Sequence, residues 1–272
     1  MSRISSLFLN LKNRSALGIF ITAGDPNIEI SQEILETLPA AGADFIELGM
    51  PFSDPMADGK AIQLSSNRAL KAGINLNKIL NMVRIFREKD NITPIILMGY
   101  FNPIFIFGVK RFLKEAKEVG VDGFIIVDLP PEEDNEFTNP AIRENFDVIK
   151  LVTPTSDNSR IKKIIENSSG FIYYVSVTGI TGTKKSSNEE VKVAVENLKA
   201  ITKLPIIVGF GIRNKEQVNK LSLFSDGMVI GSHIVTIIKN NKLSKKQEIV
   251  DSVKNEVKKL SSSIHLNYNP TK

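Results

Sequence analysis

The sequence predicts an α/β protein folded as a single (β/α)8 barrel of the TIM type. Eight short apolar runs rich in β-branched residues alternate with segments whose apolar residues recur at helical spacing. A strand that is apolar throughout needs cover on both faces, and crossover helices give a parallel sheet that cover. Eight such units in 272 residues, without a Pro/Ser-rich linker, favour a single closed barrel that spans residues 1–272. An open eight-stranded sheet is the alternative.

Strands and helices follow one another along the whole chain. The predicted strands are Leu17–Thr22, Asp44–Gly49, Pro94–Met98, Gly123–Asp128, Val148–Val152, Phe171–Val177, Pro205–Gly209 and Asp226–Ile230. Between them, helical spacing is seen for example at Leu76, Ile79, Leu80, Val83 and Phe86. A last helix is predicted near 244–261, and the residues from about 262 are expected to form a flexible tail.

The amino-acid composition limits the catalytic groups, metal sites and partners that the chain can have. The chain has no Cys and two His, His233 and His265, so thiol nucleophiles and Cys-based metal sites are excluded and acid–base work falls mainly to carboxylates. The charge of +5 does not predict nucleic-acid binding, because seven Lys against three acids between 239 and 259 supply most of it on one helix. With no apolar run near the roughly 20 residues of a membrane span and no signal-peptide core, we expect an intracellular protein without a membrane partner.

Polar residues and glycines collect at the end of every predicted strand, where a barrel of this type builds its active site. Glu47 stands near the end of the second strand, within the apolar run Asp44–Gly49. A carboxyl group buried there would have a raised pKa, which suits a general acid–base catalyst. The pattern is equally compatible with a structural carboxylate paired with an Arg or a backbone N–H.

A second carboxylate follows in the loop Pro51–Gly59, which is too rich in Pro and turn residues to be a helix or a strand. Folded over the mouth of the barrel, this loop could bring Asp58 or Asp54 towards Glu47. Two carboxyl groups in unlike environments can divide the acid and base roles of a reaction. For Asp54, directly before Pro55, an Asx turn or a helix N-cap is the favoured interpretation.

Glycine-rich strand ends in the last third of the chain predict a phosphate site. Gly179–Gly182, Gly209–Gly211 and Gly231–Ser232 follow the sixth, seventh and eighth predicted strands. Glycine lets backbone N–H groups approach an anion, and a helix that begins near Ser232 would add its positive N-terminal end. Each of the three pieces alone is also what an ordinary turn requires.

Other residues have two interpretations each. Lys150 interrupts the fifth strand and could form the Schiff base of an aldolase, although a side chain that carries its ammonium group to the barrel rim is favoured. His233 could contact a phosphate or lie on the surface at the start of a helix. Tyr173 and Tyr174 are neighbours in the sixth strand, so only one of them can point into the barrel.

Several blocks of sequence between about Phe20 and about Ile238 are similar to one known family. They are Phe20–Pro26, Glu47–Gly59, Tyr100–Ile104, Asp128–Pro130, Tyr173–Gly182, Gly209–Ile212 and Gly231–Ser232. With these residues the chain resembles the alpha subunit of tryptophan synthase. The resemblance implies a carbon–carbon lyase that cleaves indole-3-glycerol phosphate to indole and glyceraldehyde 3-phosphate by a retro-aldol reaction, with neither a cofactor nor a metal in this subunit.

The same resemblance assigns roles to individual residues. Glu47 corresponds to the acid–base that protonates the indole ring carbon and takes the proton of the side-chain hydroxyl, and Asp58 to the acid that engages the ring N–H. The implied substrate-binding residues are Tyr173, Phe20, Met98, Phe210 and, in a mobile loop, Thr181. The implied phosphate-binding residues are Gly182, Gly211, Gly231 and Ser232.

Family resemblance also implies a partner, a beta subunit that uses pyridoxal phosphate and receives indole through a tunnel in an alpha2beta2 heterotetramer. The candidate docking segments are Pro51–Gly59, Tyr100–Phe107 and Asp128–Glu133, at one mouth of the barrel. The second segment carries a run of apolar side chains that suits an interface or, alternatively, a lid on the chain's own core. These are Phe101, Ile104, Phe105, Ile106 and Phe107.

A few positions depart from the family pattern, and two other functions stay open. Lys60 stands where many members have Pro, Val177 where many have Arg, and Lys150 where an apolar residue is common. The alternatives are another phosphosugar enzyme, either an isomerase or a Lys150 aldolase, and a non-catalytic subunit that only activates a partner. The Asn-, Lys- and Ile-rich composition suggests an AT-rich genome, hence a bacterial cytoplasm or a plastid stroma.

Overall fold

A ring of parallel strands forms the centre of the protein in the computed structural model, which describes residues 1–11, 14–178, 184–185, 187–209 and 211–264. The strands are β1 Ala16–Thr22, β2 Phe45–Gly49, β3 Ile95–Gly99, β4 Gly123–Ile126, β5 Asp147–Val148, β6 Lys150–Val152, β7 Ile172–Val175, β8 Val177–Thr178, β9 Lys184–Lys185, β10 Ile206–Gly209 and β11 Gly227–Ile230. Short strands β8 and β9 pair antiparallel with each other and stand apart from the ring.

The sheet closes into a barrel because β5 and β6 together form its fifth strand. Pairing runs in the order β5-β4-β3-β2-β1-β11-β10-β7-β6, with each pair parallel. β5 and β6, at the two ends of this order, are halves of one strand separated by Ile149, whose backbone N–H donates to the carbonyl of Phe124 at 3.0 Å. The closed eight-stranded barrel is confirmed, and the open sheet is wrong.

Helices surround the ring. They are α1 Arg3–Asn10, α2 Ile28–Thr37, α3 Lys60–Lys71, α4 Leu76–Arg87, α5 Phe101–Phe107, α6 Val109–Val119, α7 Thr138–Arg143, α8 Asn158–Glu166, α9 Asn188–Ile201, α10 Lys215–Leu221, α11 Ser232–Asn241 and α12 Lys246–Ser261, with 3-10 turns at Pro39–Ala41 and Pro131–Glu133. Several begin at a side chain that accepts an otherwise unpaired N–H, as at Asn27, Asn75 and Asp157. Ser187 and Glu190 form a reciprocal capping box at the start of α9.

The inside of the ring has an apolar core separate from the larger one between strands and helices. Close packing there depends on glycine, because a Cβ on Gly18 would lie 2.3 Å from the ring of Phe45, and one on Gly49 would lie 2.5 Å from the ring of Phe20. An inward aromatic ring on one strand thus fills the space that a glycine leaves on its neighbour.

Helix α1 closes the amino-terminal end of the barrel, a role that the sequence did not predict. Its Ile4 is buried, and the rings of Phe8 and Phe171 meet edge to face at 6.0 Å. Arg3 Nη1 donates to Asp122 Oδ1 at 2.8 Å and ties the helix to the start of the strands. The carboxyl-terminal end of the barrel is the opposite end, where the strand-end residues collect.

One sequence expectation needs correction, and another is made more specific. Lys150 does not reach the rim: its buried ammonium group pairs with Asp134 on the outer face of the strand, while Ile149 and Leu151 face the inner core. In α5, Ile104 is fully buried, whereas Phe105 and Ile106 are 61% and 76% exposed, so the segment is partly core and partly surface.

The last helix, α12, packs against α2 and α11. Of the tail predicted from about 262, residues 265–272 lie outside the described part. No helix within the described ranges is both long and apolar enough to cross a bilayer.

Candidate active site

Glu47 lies on the inner side of β2, in register with Phe20 of β1 and Ile96 of β3. Its side chain is completely buried, and within the described ranges neither carboxyl oxygen has a hydrogen-bond partner. Burial raises its pKa to about 8, because a low-dielectric surrounding disfavours the charged form. At neutral pH the group therefore carries a proton that it can give away.

Asp58 lies in the loop between β2 and α3 and lines the same cavity as Glu47. Burial raises its pKa, and a hydrogen bond from the Tyr100 hydroxyl opposes part of that effect, which leaves the pKa at about 6. Asp54, the other candidate in this loop, is exposed and accepts a hydrogen bond from Ser53 Oγ at 2.5 Å. Of the two acids, Asp58 is the one that lines a cavity together with Glu47.

These acids share a cavity at the mouth of the barrel. Its apolar walls come from the ends of several strands and from the first turn of α3, and they could hold a flat aromatic ring. The apolar and aromatic lining residues are Phe20, Ile62, Met98, Tyr173, Ile212 and Val229. Sequence reasoning missed Ile62, Ile212 and Val229. For Val229 alternation within β11 was a usable signal, whereas Ile62 at the start of α3 and Ile212 after Gly211 are placed by the paths of the preceding loops, which the pattern does not fix.

Tyr173 points into the barrel and Tyr174 to its outside, as the alternation of β7 requires. Complete burial and the nearby Glu47 carboxyl group raise the pKa of Tyr173, so its hydroxyl keeps its proton. The space for the Tyr173 ring comes from Gly209 on the neighbouring strand, where a Cβ would lie 2.0 Å from Tyr173 Oη.

One end of the cavity is formed by main chain. Gly211, Gly231 and Ser232 line it, and Ser232 is the first residue of the ten-residue helix α11. Gly211 has φ +80°, a conformation that glycine adopts without strain. The positive end of a helix beside unobstructed backbone is suited to a phosphate group. His233 does not join this group, because its Nε2 lies 3.0 Å from Glu256 Oε1.

Helix α3, which follows Asp58 directly, is fixed to the end of β1 by two contacts. The hydroxyls of Thr22 and Ser65 hydrogen-bond at 2.6 Å. Arg68 binds the buried carboxylate of Asp25 with two hydrogen bonds of 2.7 and 2.8 Å. These contacts fix the middle and the last turn of α3, the helix that follows the Asp58 loop, against the end of β1.

Three of the predicted site residues, Thr181, Gly182 and Phe210, lie outside the described part of the chain. Within the described ranges, no group of three or more His, Asp or Glu side chains is arranged to hold a metal ion.

Comparison with known proteins gives matches over nearly the whole chain. The family model for the tryptophan synthase alpha chain matches residues 8–265. Tryptophan synthase subunit alpha from Legionella pneumophila str. Paris has a TM-score of 0.89 and 36% identity, over 97% of this chain and 98% of that one.

Two other solved structures are similar over comparable lengths. A structure from Aquifex aeolicus VF5 has a TM-score of 0.88 at 36% identity, over 97% of this chain and all (100%) of that one. Tryptophan synthase from M. tuberculosis in an open form has a TM-score of 0.85 at 27% identity, over 96% and 98%. With sequence and fold matching over nearly its whole length, this chain belongs to the tryptophan synthase alpha chain family.

Proposed function

We propose that this chain cleaves indole-3-glycerol phosphate to indole and glyceraldehyde 3-phosphate, as the alpha subunit of a tryptophan synthase. Membership of the family implies a lyase-type activity. The observation that supports the specific reaction is the pair of acids on one cavity, where Glu47 is buried without a hydrogen-bond partner among the described residues and Asp58 is half-buried. We assign the catalytic roles to these two residues.

Glu47 acts first as an acid. Its carboxyl group, protonated at neutral pH, gives its proton to C3 of the indole ring, which becomes an indolenine with a positive ring nitrogen. The resulting carboxylate then takes the proton of the adjacent side-chain hydroxyl. A C=O double bond forms there, the C–C bond to C3 breaks, and its electrons return to the ring. Glu47 ends as it began, so the cycle consumes no proton.

Asp58 supports the same step from the other side of the ring. With a pKa of about 6 it is largely ionised at pH 7 and accepts a hydrogen bond from the ring N–H. That bond strengthens as positive charge develops on the nitrogen, so it lowers the barrier more than it tightens substrate binding. Burial makes one carboxyl group an acid, while partial exposure keeps the other a base.

The phosphate tail is proposed to bind at the main-chain end of the cavity, to Gly211, Gly231 and Ser232, with the helix α11 dipole behind them. The indole ring then lies between Phe20, Met98 and the other apolar walls. No cofactor has a role in this scheme, since the protonated ring itself accepts the electrons of the breaking bond.

The test is indole release from indole-3-glycerol phosphate, with and without added beta subunit. Glu47→Gln should lower the rate by a factor on the order of 100 to 10,000, the contribution of a general acid–base group. Glu118→Gln, at an exposed position on α6, is the matched control and should keep the wild-type rate. Equal rates for the two variants would refute the role of Glu47.

The two alternative functions, a Lys150 aldolase and a non-catalytic activator, can be distinguished from the proposed one by experiment. A Lys150 aldolase would be trapped as a covalent adduct by borohydride in the presence of substrate, and we expect none, because Lys150 pairs with Asp134 outside the barrel. A non-catalytic activator would lose nothing by Glu47→Gln. A variant that still activates a beta subunit but makes no indole would separate activation from chemistry.

We further propose that the beta subunit docks at the mouth of the barrel, over Pro51–Gly59, α5 and Asp128–Glu133. Phe105 and Ile106 on α5 and Met56 in the first loop are large exposed apolar residues at this end. Replacing Phe105 and Ile106 together with Ser should weaken association with beta in titration calorimetry. Ile92→Ser, at an 84% exposed residue between α4 and β3, is the control and should bind as the wild type does.

A further inference from the structure

Tyr100 stands directly after β3 and before α5, with its side chain almost fully buried. Its ring packs against that of Phe52, with centroids 5.2 Å apart. Its hydroxyl oxygen accepts a hydrogen bond from the backbone N–H of Ala57 at 2.9 Å. Tyr100 therefore connects the end of a rigid barrel strand to the loop that ends in Asp58.

Apart from the bond to Tyr100, the hydrogen bonds that residues 53–58 make in the described part of the chain are local. Ser53, Asp54, Met56 and Ala57 are exposed, and the hydrogen bonds that Asp58 makes through its backbone stay within the loop and the first turn of α3. Tyr100 reaches this loop from a different strand. Since its oxygen already accepts the Ala57 N–H, its own O–H is available to donate to the carboxyl group of the next residue.

We infer that Tyr100 is a positioning residue for the lyase reaction, one whose hydroxyl clamps the loop at Ala57 and holds the Asp58 carboxylate against the cavity. This inference rests on the proposed function and adds a residue to it. Tyr100 lines a smaller neighbouring cavity together with Asp58, whereas the lining of the cavity that holds Glu47 includes Asp58 but not Tyr100. We therefore expect Tyr100 to act through Asp58.

Asp58 faces titratable groups from several elements. Glu47 of β2 and Tyr173 of β7 line the same cavity, Tyr100 lies at the end of β3, and Asp128 after β4 is close enough to influence Tyr100. Among these, Tyr100 is the group that lowers the pKa of Asp58 by hydrogen bonding. Removing its hydroxyl should therefore raise that pKa and leave less of Asp58 ionised at pH 7.

The experiment compares Tyr100→Phe, which keeps the ring packing, with Tyr174→Phe, which removes a hydroxyl on the outer side of β7. For Tyr100→Phe we expect kcat for indole release to fall roughly tenfold, in line with the loss of one charge-assisted hydrogen bond, with KM changed less than about twofold. The acid limb of the rate profile should move to higher pH. Tyr174→Phe should match the wild type in all three measurements.

Two outcomes would overturn the inference. One is an unchanged kcat and acid limb for Tyr100→Phe, and the other is a raised KM with unchanged kcat, which would make Tyr100 a wall for substrate. In an Asp58→Asn background, Tyr100→Phe should cost almost nothing more, because both changes remove the same contact. A full additional tenfold loss there would likewise refute action through Asp58.

A measurement without substrate separates this inference from the proposed function. In protein labelled with ¹³C at the Asp carboxyl groups, the Asp58 signal is assigned by its loss in Asp58→Asn. It should titrate at higher pH in Tyr100→Phe than in the wild type, and an unmoved titration would overturn the inference whatever the enzyme does. Failure of the wild type to release indole, with the titration moved, would count against the reaction alone.

Discussion

Glu47 should make the protein less stable than an uncharged side chain would, by an amount that grows with pH. The unfolded chain ionises this group near 4.5, whereas the folded protein holds it protonated up to about 8. Because the folded pKa is raised, Glu47 costs no stability below the unfolded pKa, and the cost grows as the pH rises from the unfolded pKa to the folded one and is constant above it.

The magnitude follows from the size of the shift. At pH 7 the folded protein must keep a proton about 2.5 pH units above the unfolded pKa, and at 1.36 kcal/mol per unit this costs roughly 3 kcal/mol. Above pH 8 the cost levels off at about 5 kcal/mol. Glu47→Gln removes the ionisation while keeping the shape, so the variant should be more stable than the wild type by up to these amounts.

Urea unfolding followed by circular dichroism between pH 5 and 9 measures the difference directly. We expect the unfolding free energies of Glu47→Gln and the wild type to converge towards pH 5. Above that pH their difference should grow by roughly 1.4 kcal/mol per pH unit up to about pH 8. Glu118→Gln on the surface of α6 is the control and should run parallel to the wild type. A difference for Glu47→Gln that does not change with pH would refute the reasoning.

The same geometry leads to three more expected outcomes. The pH–rate profile of indole release should be bell-shaped. Its acid limb lies near pH 6, because Asp58 must be ionised, and its alkaline limb near pH 8, because Glu47 must be protonated. A profile that is flat across both values would contradict the assignment. Gly209→Ala should lower stability by about 1–3 kcal/mol and slow indole release, since its Cβ would collide with Tyr173, and a wild-type urea midpoint would argue against this packing. Arg68→Met should cost about 3 kcal/mol because it strips a buried carboxylate of its partner, and thermal unfolding at the wild-type temperature would show that the pair is dispensable.

The barrel was predictable because its signal is periodic. Each strand is apolar enough to be recognised alone, and alternation assigns inner and outer faces, as it does for Tyr173 and Tyr174. What alternation could not supply is the role of α1. A short N-terminal helix carries no mark of the end of the barrel that it covers, because that depends on rings such as Phe171 far along the chain.

Prediction of the candidate site was uneven for a similar reason. Glu47 stood out as an acid in an apolar strand. For the loop that follows, the local pattern left Asp54 and Asp58 as competitors, and the hydrogen bond that ties this loop to the barrel joins the Ala57 N–H to Tyr100, 43 residues apart in sequence. Lys150 was misplaced because its anionic partner, Asp134, lies on a connecting segment whose path local pattern does not determine.

The pairing of inward glycines with aromatic rings on adjacent strands bears on how this pocket can change. Gly49 makes room for Phe20, and Gly209 for Tyr173. A larger residue at either glycine is admissible only if the facing ring shrinks, and a smaller ring leaves a void unless the glycine grows. Reshaping the pocket for a bulkier ring system would therefore proceed by coordinated exchanges across neighbouring strands, and single substitutions at these positions lead through unstable intermediates.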